Sequence, residues 1–259
     1  MPLNLQSFVQ NGSLLFTVSS DGYKFLTWNL YLHLQKINPS LRLLILCLDK
    51  ESNDFFNRIA MIPSRLYIMD GPTVQHKSPT VFGSTPFKRM NRMKLRALQE
   101  LSQRLEIETL LYLDSDIAVF QDPLVSIQSF LQEAPLWFQC DESGEHKYEC
   151  SNTKGCPNAC TGVIAMKVNE ETRPLFQTLY TLDEDWKKAV TDQDYINDRM
   201  KKLGVSFQTL PRFAFPNGVF LSENRFQQRN PVLLHFNYIT GNDKKRMMKN
   251  KDCWLLTDY

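Results

Sequence analysis

From Ser13 to Met69, short apolar runs alternate with segments of helical periodicity, and this alternation constrains the fold more than any other feature of the chain. Ser13 to Ser20 is apolar, then ends in small polar residues before Asp21-Gly22, as a buried strand delivering a loop does. Tyr23 to Ile37 sets Phe25, Leu26, Leu30 and Leu34 at helical spacing and stops before Asn38-Pro39. Leu41 to Leu48 predicts a second strand, Asp54 to Met61 a helix and Arg65 to Met69 a third strand. Strand, helix, strand in this order is the pattern of an α/β protein whose central sheet is mostly parallel and flanked by helices. In such sheets nucleotides bind beyond the carboxyl ends of the strands.

Further along, Gly71 to Pro86 has loop composition, and Phe87 to Leu105 reads as a basic amphipathic helix. Thr109 to Leu113 predicts a strand, Asp141 to Asn158 a polar loop and Gly162 to Val168 another strand. Helices are expected at Glu171 to Leu182 and Asp192 to Leu203, with short strands at Ser206 to Leu210 and Val232 to Phe236.

Composition matters here for what it excludes. Thirty Lys and Arg against 28 Asp and Glu give a net charge of +2, too balanced for a general nucleic-acid binder. The longest apolar stretches fall well short of the ~20 residues a membrane span needs. Met1-Pro2-Leu3-Asn4 lacks the basic and apolar regions of a secretory leader. The spacing of Cys140, Cys150, Cys156 and Cys160 does not match paired C-x2-C zinc knuckles, so free thiols in a reducing cytoplasm are expected, with a disulfide or metal cluster the alternative.

The chemistry concentrates in three places. Leu110-Leu111-Tyr112-Leu113 runs straight into Asp114-Ser115-Asp116. Side chains at i and i+2 of a strand point the same way, so both carboxylates converge, and two hard oxygen ligands suit Mn2+ or Mg2+ holding a diphosphate. An exposed turn is the alternative, because Asp-Ser-Asp is ordinary turn composition. His235, at the end of the apolar Leu233-Leu234, could offer an imidazole to a metal or could be a satisfied structural residue. Gly241 permits close backbone approach, and Lys244-Lys245-Arg246 could neutralise phosphates or form a solvated tail. Asp192-Gln193-Asp194 either caps a helix through Asp192 or places Gln193 or Asp194 at a reacting sugar. Leu210 to Gly218 reads as the wall of an acceptor pocket or as a packed turn.

Taken together, the first strand with Thr17-Val18-Ser19, the helix with Lys94, Asp114-Ser115-Asp116, Thr161-Gly162-Val163-Ile164, Asp192-Gln193-Asp194, Phe215-Pro216-Asn217-Gly218 and His235 through Lys245 resemble the nucleotide-diphospho-sugar transferase family, glycosyltransferases of the GT-A fold. The resemblance implies a single GT-A-like domain over residues 1–259, with 1–120 the nucleotide-binding half and 121–259 the acceptor and metal-completing half. It implies that Asp114, Asp116 and His235 bind Mn2+ or Mg2+. Thr17, Val18 and Ser19 would line the nucleotide pocket, and Lys94 would reach the donor's phosphates or sugar. Ser115, Thr161, Gly162, Asn217, Gly241 and Lys244 would complete the donor side. Lys245 would hold the diphosphate leaving group, with Gln193 or Asp194 bordering the transferred sugar.

The implied reaction is transfer of a hexose or pentose from a nucleoside diphosphate sugar, UDP by family habit, to a glycan or glycoprotein hydroxyl, with retention favoured; inversion would need a carboxylate near the acceptor hydroxyl, and Asp194 could serve. Cys160 departs from the family, which commonly has Asn at that position. Two other classes fit parts of the pattern. An aspartyl phosphatase would use Asp114 as nucleophile, although the carboxylate pair lies at mid-chain and lacks the usual following Thr. A non-catalytic sugar-nucleotide or glycan-binding module would keep the site without turnover.

Overall fold

The structure, a computed structural model, describes residues 5–66, 83–141, 158–177, 184–219, 230–239 and 241–257. Its larger sheet is built from β1 (Ser13–Ser19), β2 (Leu43–Cys47), β3 (Ser64–Leu66), β4 (Thr109–Leu113), β6 (Leu136–Cys140), β7 (Ala159–Lys167) and β8 (Gln208–Thr209). Among the described residues the order is β3-β2-β1-β4-β7-β6-β8. The β1–β2, β2–β3, β1–β4 and β6–β8 pairs are parallel, and β7 runs antiparallel to both β4 and β6. Six strands therefore share a direction and β7 alone is reversed, which gives the mostly parallel α/β sheet expected from the chain's early alternation.

Side-chain alternation divides the core into two layers. Leu14, Phe16 and Val18 of β1 join Leu44, Leu46, Leu110 and Tyr112 on one face. Leu15 joins Leu43, Ile45, Cys47, Leu111 and Leu113 on the other. Because both faces are buried, these strands read as continuous apolar runs. The first face is covered by α3 (Thr85–Ser102), α5 (Arg173–Phe176) and α7 (Asp192–Leu203) through Leu95, Leu98, Leu175, Ile196 and Met200. The second is covered by α1 (Lys24–Ile37) and α4 (Pro123–Glu133) through Leu30, Leu34, Ile127 and Leu131.

Several elements differ from the expectations. The helix placed at Asp54 to Met61 begins earlier, as α2 (Lys50–Asp54) continuing into a π-helical turn, Phe55–Ile59. Asp49 starts it by accepting a hydrogen bond from the Ser52 N–H. The helix expected at Glu171 to Leu182 is α5 followed by residues outside the described set, with α6 (Glu184–Lys188) after them. Most of the Gly71–Pro86 and Asp141–Asn158 loops also lies outside the described residues. Helix α4 and strand β6 were not expected, although Asp122-Pro123 is a cap followed by Pro at the first helical position. The basic run after Gly241 forms a helix, α8 (Gly241–Asn250), rather than a solvated tail. Cys140, expected as a free thiol, is disulfide-bonded, while Cys47, Cys160 and Cys253 are free.

A second, two-stranded sheet positions the site. Strands β5 (Ile117–Val119) and β9 (Leu233–His235) pair antiparallel with His235 opposite Ile117. Leu234 and Phe236 pack with Ala118, Leu26, Met248 and Cys253, which seats α8 beside this sheet. Asn29 locks the chain that follows α8 onto α1: its amide donates to the Cys253 carbonyl (2.9 Å) and accepts from the Leu255 N–H (2.7 Å). No described helix is long and apolar enough to cross a membrane.

Candidate active site

A cavity of about 650 Å³ opens beyond the carboxyl end of β4. The carboxylates meet there for a reason other than strand alternation. β4 ends at Leu113, and Asp114 to Asp116 form a turn into β5. The Asp114 N–H donates to the Gly162 carbonyl (2.8 Å), and the Ser115 hydroxyl donates to the Val18 carbonyl (3.1 Å). Ser115 also hydrogen-bonds with Thr27 (3.0 Å), so the turn is tied to β1 and α1. Tyr112 donates its hydroxyl to Asp114 at 2.5 Å, and burial next to that carboxylate raises the phenol well above its ordinary range.

His235 arrives from β9, far along the chain. Its Nε2 lies 3.2 Å from Asp116 Oδ1 and 3.7 Å from Asp114 Oδ2. Asp114, Asp116 and His235 each present one ligand atom within 4.8 Å of the others, a group among the described residues that could hold a metal ion. Two carboxylates and one imidazole fit a divalent cation such as Mn2+ or Mg2+. Burial opposes charge on His235, but Asp116 outweighs it and raises the imidazole to about 10. Burial likewise opposes charge on Asp116, while Lys244 and His235 hold it well below the usual carboxylate range.

Gly162 makes this approach possible. A Cβ there would lie 2.1 Å from His235 Cε1, 2.8 Å from its Nδ1 and 3.0 Å from Asp114 Oδ2. Gly162→Ala must push the imidazole away from the acids, and overpacking of this kind costs about 1–3 kcal/mol. Chemical denaturation should show that loss, with weaker Mn2+ binding on the same preparation. Unchanged stability together with unchanged Mn2+ affinity would reject the close packing of His235 on β7.

Two lysines face the acids. Lys94 on α3 is buried, 2.5 Å from Asp192 and 3.6 Å from Asp114, and donates to the Thr161 carbonyl at 3.1 Å. Burial disfavours its charge, but Asp114 and Asp192 raise it above the usual lysine range. Lys244 on α8 pairs directly with Asp116. Lys245 does not join it: its ammonium sits over the Trp254 ring, 5.1 Å from the centroid, and it does not line the cavity. Helical phase is the reason. Buried Met248 anchors α8, and Lys244, four residues before it, shares that face.

The other expected residues divide in the same way. Val18, Ser115, Thr161, Gly162, Gly241 and Gln193 line the cavity. Thr17 and Ser19 are fully buried in β1 and do not line it. Asn217 is buried in a packed turn, donating to the Cys140 carbonyl (3.2 Å) and accepting from the Val219 N–H (3.0 Å). Asp194 lies exposed at the rim, and its carboxylate closes a capping box with Thr191, which is the true N-cap of α7 in place of Asp192. Asp192 instead turns inward to Lys94 and to the Thr161 hydroxyl (2.7 Å), a role that reading it as a cap concealed. Gln193 donates to Asp141 (2.9 Å), which also accepts from Asn158 (2.6 Å) and Tyr238. Asp141 has no motif around it in the sequence. Only the fold brings it to the cavity.

The α/β sheet thus brings two acids at a central strand end, a crossing histidine and two lysines over one cavity, a candidate site for a cation. A family model for nucleotide-diphospho-sugar transferases matches residues 41–248, and the chain belongs to that family as a glycosyltransferase-type enzyme. The galactosyltransferase LgtC, solved with donor and acceptor sugar analogues, superposes with a TM-score of 0.55 at 12% identity, over 94% of this chain and 96% of that one. Mouse xyloside xylosyltransferase 1 gives 0.55 at 10% identity, over 86% of this chain and 97% of that one. The glycosyltransferase GlyE of Streptococcus pneumoniae TIGR4 gives 0.56 at 14%, over 95% of this chain and 60% of that one. At these identities the likeness establishes the GT-A-like fold. No curated protein matches the chain.

Proposed function

We propose that the chain transfers a sugar from a nucleoside diphosphate donor, a UDP-sugar, to a hydroxyl of a glycan or glycoprotein, with retention of anomeric configuration. The observation that carries this reading is the meeting of Asp114, Asp116 and His235 in one cavity with Lys94 and Lys244. Asp114, Asp116 and His235 would hold Mn2+ or Mg2+, and the ion when bound would supply positive charge to the diphosphate.

The bond from the anomeric carbon to the diphosphate oxygen breaks, and its electron pair stays on that oxygen. The acceptor oxygen bonds to the same carbon, and its proton passes to the departing phosphate. Groups that bind the growing negative charge more tightly in the transition state than in the ground state accelerate this step. Lys244 serves that purpose, in the role that the family resemblance assigned to Lys245. Lys94, Asp192 and Gln193 border the donor sugar. Inversion would require a carboxylate free to take the acceptor's proton. Asp194 is engaged in its capping box, and the oxygens of Asp141 already accept from Gln193, Asn158 and Tyr238, which favours retention.

The chain acts as one catalytic domain in this reading, residues 1–120 binding the nucleotide and 121–259 supplying His235 and the acceptor side. The disulfide at Cys140 supports a compartment that oxidises thiols over the cytoplasm expected from the sequence.

A thermal-shift panel of UDP-, GDP- and dTDP-sugars, with Mn2+, with Mg2+ and without metal, tests the proposal. A ligand at 100 times its dissociation constant adds about 2.7 kcal/mol to the folded state. Stabilisation by a UDP-sugar that requires the ion is expected. No response to any sugar nucleotide in any metal would reject the proposal, and the anomeric configuration of isolated product decides retention.

A further inference from the structure

We infer that Gln139 is a positioning residue that sets the tautomer of His235 and thereby leaves Nε2 free to bind a divalent cation. The inference rests on the metal reading of Asp114, Asp116 and His235, and it goes beyond that reading to a residue with no place in the site motifs.

Gln139 is fully buried on β6, where the pairing with β7 slips. Phe138 opposes Ile164, but Gln139 opposes Cys160, so Thr161, Gly162 and Val163 have no partner on β6. Such irregularities re-aim side chains beside functional sites. The Gln139 side chain lies between the turn at Phe215 and the imidazole of His235. Its Nε2 donates to the carbonyls of Phe215 (3.0 Å) and Pro216 (3.1 Å). Carbonyl oxygens only accept, so the NH2 end of the amide has to face them. That leaves Oε1 at the other end, 2.7 Å from His235 Nδ1.

An amide oxygen also only accepts, so the proton of this contact belongs to Nδ1. A neutral imidazole protonated on Nδ1 carries its lone pair on Nε2. Nε2 is the nitrogen that faces Asp116 and Asp114. The Pro216 carbonyl also accepts from the His235 N–H (3.1 Å), so one turn holds both the glutamine and the histidine backbone. The chain from two carbonyls, through an amide, to an imidazole commits Nδ1 to the amide, so that Nε2 is the nitrogen whose proton a divalent cation between the two acids would replace. Partners of this kind on metal-binding histidines fix ring orientation, and their loss typically costs 10–100-fold in metal affinity.

Mn2+ titrations of full-length wild type and Gln139→Leu, followed by electron paramagnetic resonance, test this, with cooperative thermal unfolding as the check on folding. Leucine removes both ends of the amide at similar volume. A tenfold to hundredfold weaker Mn2+ dissociation constant in the folded variant is expected. A folded variant that binds Mn2+ within twofold of wild type would overturn the inference while leaving the metal site standing. Wild type that binds no Mn2+ would defeat the metal reading itself, and this inference with it. Long-range 1H–15N correlation of the Mg2+-loaded wild type reads the tautomer directly and needs no variant to fold. A proton on Nδ1 of His235 is expected, and a proton on Nε2 would overturn the assignment.

Discussion

Asp116→Ala, purified and folded, is expected to turn over its sugar nucleotide about 10²–10³ times more slowly than wild type, equivalent to about 2.7–4 kcal/mol of barrier for loss of one electrostatic stabiliser. The size follows from how many groups depend on this carboxylate. His235 Nε2 lies 3.2 Å from it, Lys244 pairs with it, and Asp116 is itself almost fully buried. Without Asp116 the imidazole and the ammonium lose their nearest counter-charge, and a cation would keep only Asp114 and His235. Asp116→Asn separates charge from shape, because it keeps the volume and removes the charge. Both variants should lose metal-dependent turnover under saturating Mn2+. Wild-type turnover in either would remove Asp116 from the reaction.

Asp192→Ala is expected to cost about 3 kcal/mol of stability, the low end of the range for breaking a buried ion pair by deleting one partner. Lys94 and Asp192 are 2.5 Å apart and nearly inaccessible, and the Thr161 hydroxyl donates to the same carboxylate. Removal leaves the ammonium with Asp114 at 3.6 Å and the Thr161 carbonyl at 3.1 Å, which holds the penalty to the low end. For a chain of this length the thermal midpoint should fall by roughly 6–12 °C. The double variant Lys94→Met/Asp192→Leu should be milder than Asp192→Ala alone, because no uncompensated charge stays buried. A double variant less stable than the single one would contradict this account of the pair.

Some of the site is legible in the sequence and some is not. The parallel half of the sheet and the acids at its centre are local properties. Leu110 to Leu113 is apolar because both faces of β4 are covered, and Asp114-Ser115-Asp116 must follow at the strand end whatever else the chain does. Helix α4 shows that local signals can also be passed over, since Asp122-Pro123 caps and opens it. Strand β6 is five buried residues beside a slipped pairing, and its position is defined by β7 and β8 rather than by its own pattern.

Residue types, period and order within short segments were enough to establish an α/β sheet, its carboxylate pair and the family resemblance. Which side chains face the cavity was decided by packing between distant elements. Met248 in the core sets the rotation of α8 and so presents Lys244 to Asp116 while Lys245 rests on Trp254. Thr191 caps α7, which commits Asp194 to the helix end and frees Asp192 for Lys94. Asp141 and Gln139 enter through contacts 52 and 96 residues away along the chain, with Gln193 and His235. A helix turns about 100° per residue, so a neighbour in sequence is not a neighbour in space, and only the tertiary contacts fix that rotation.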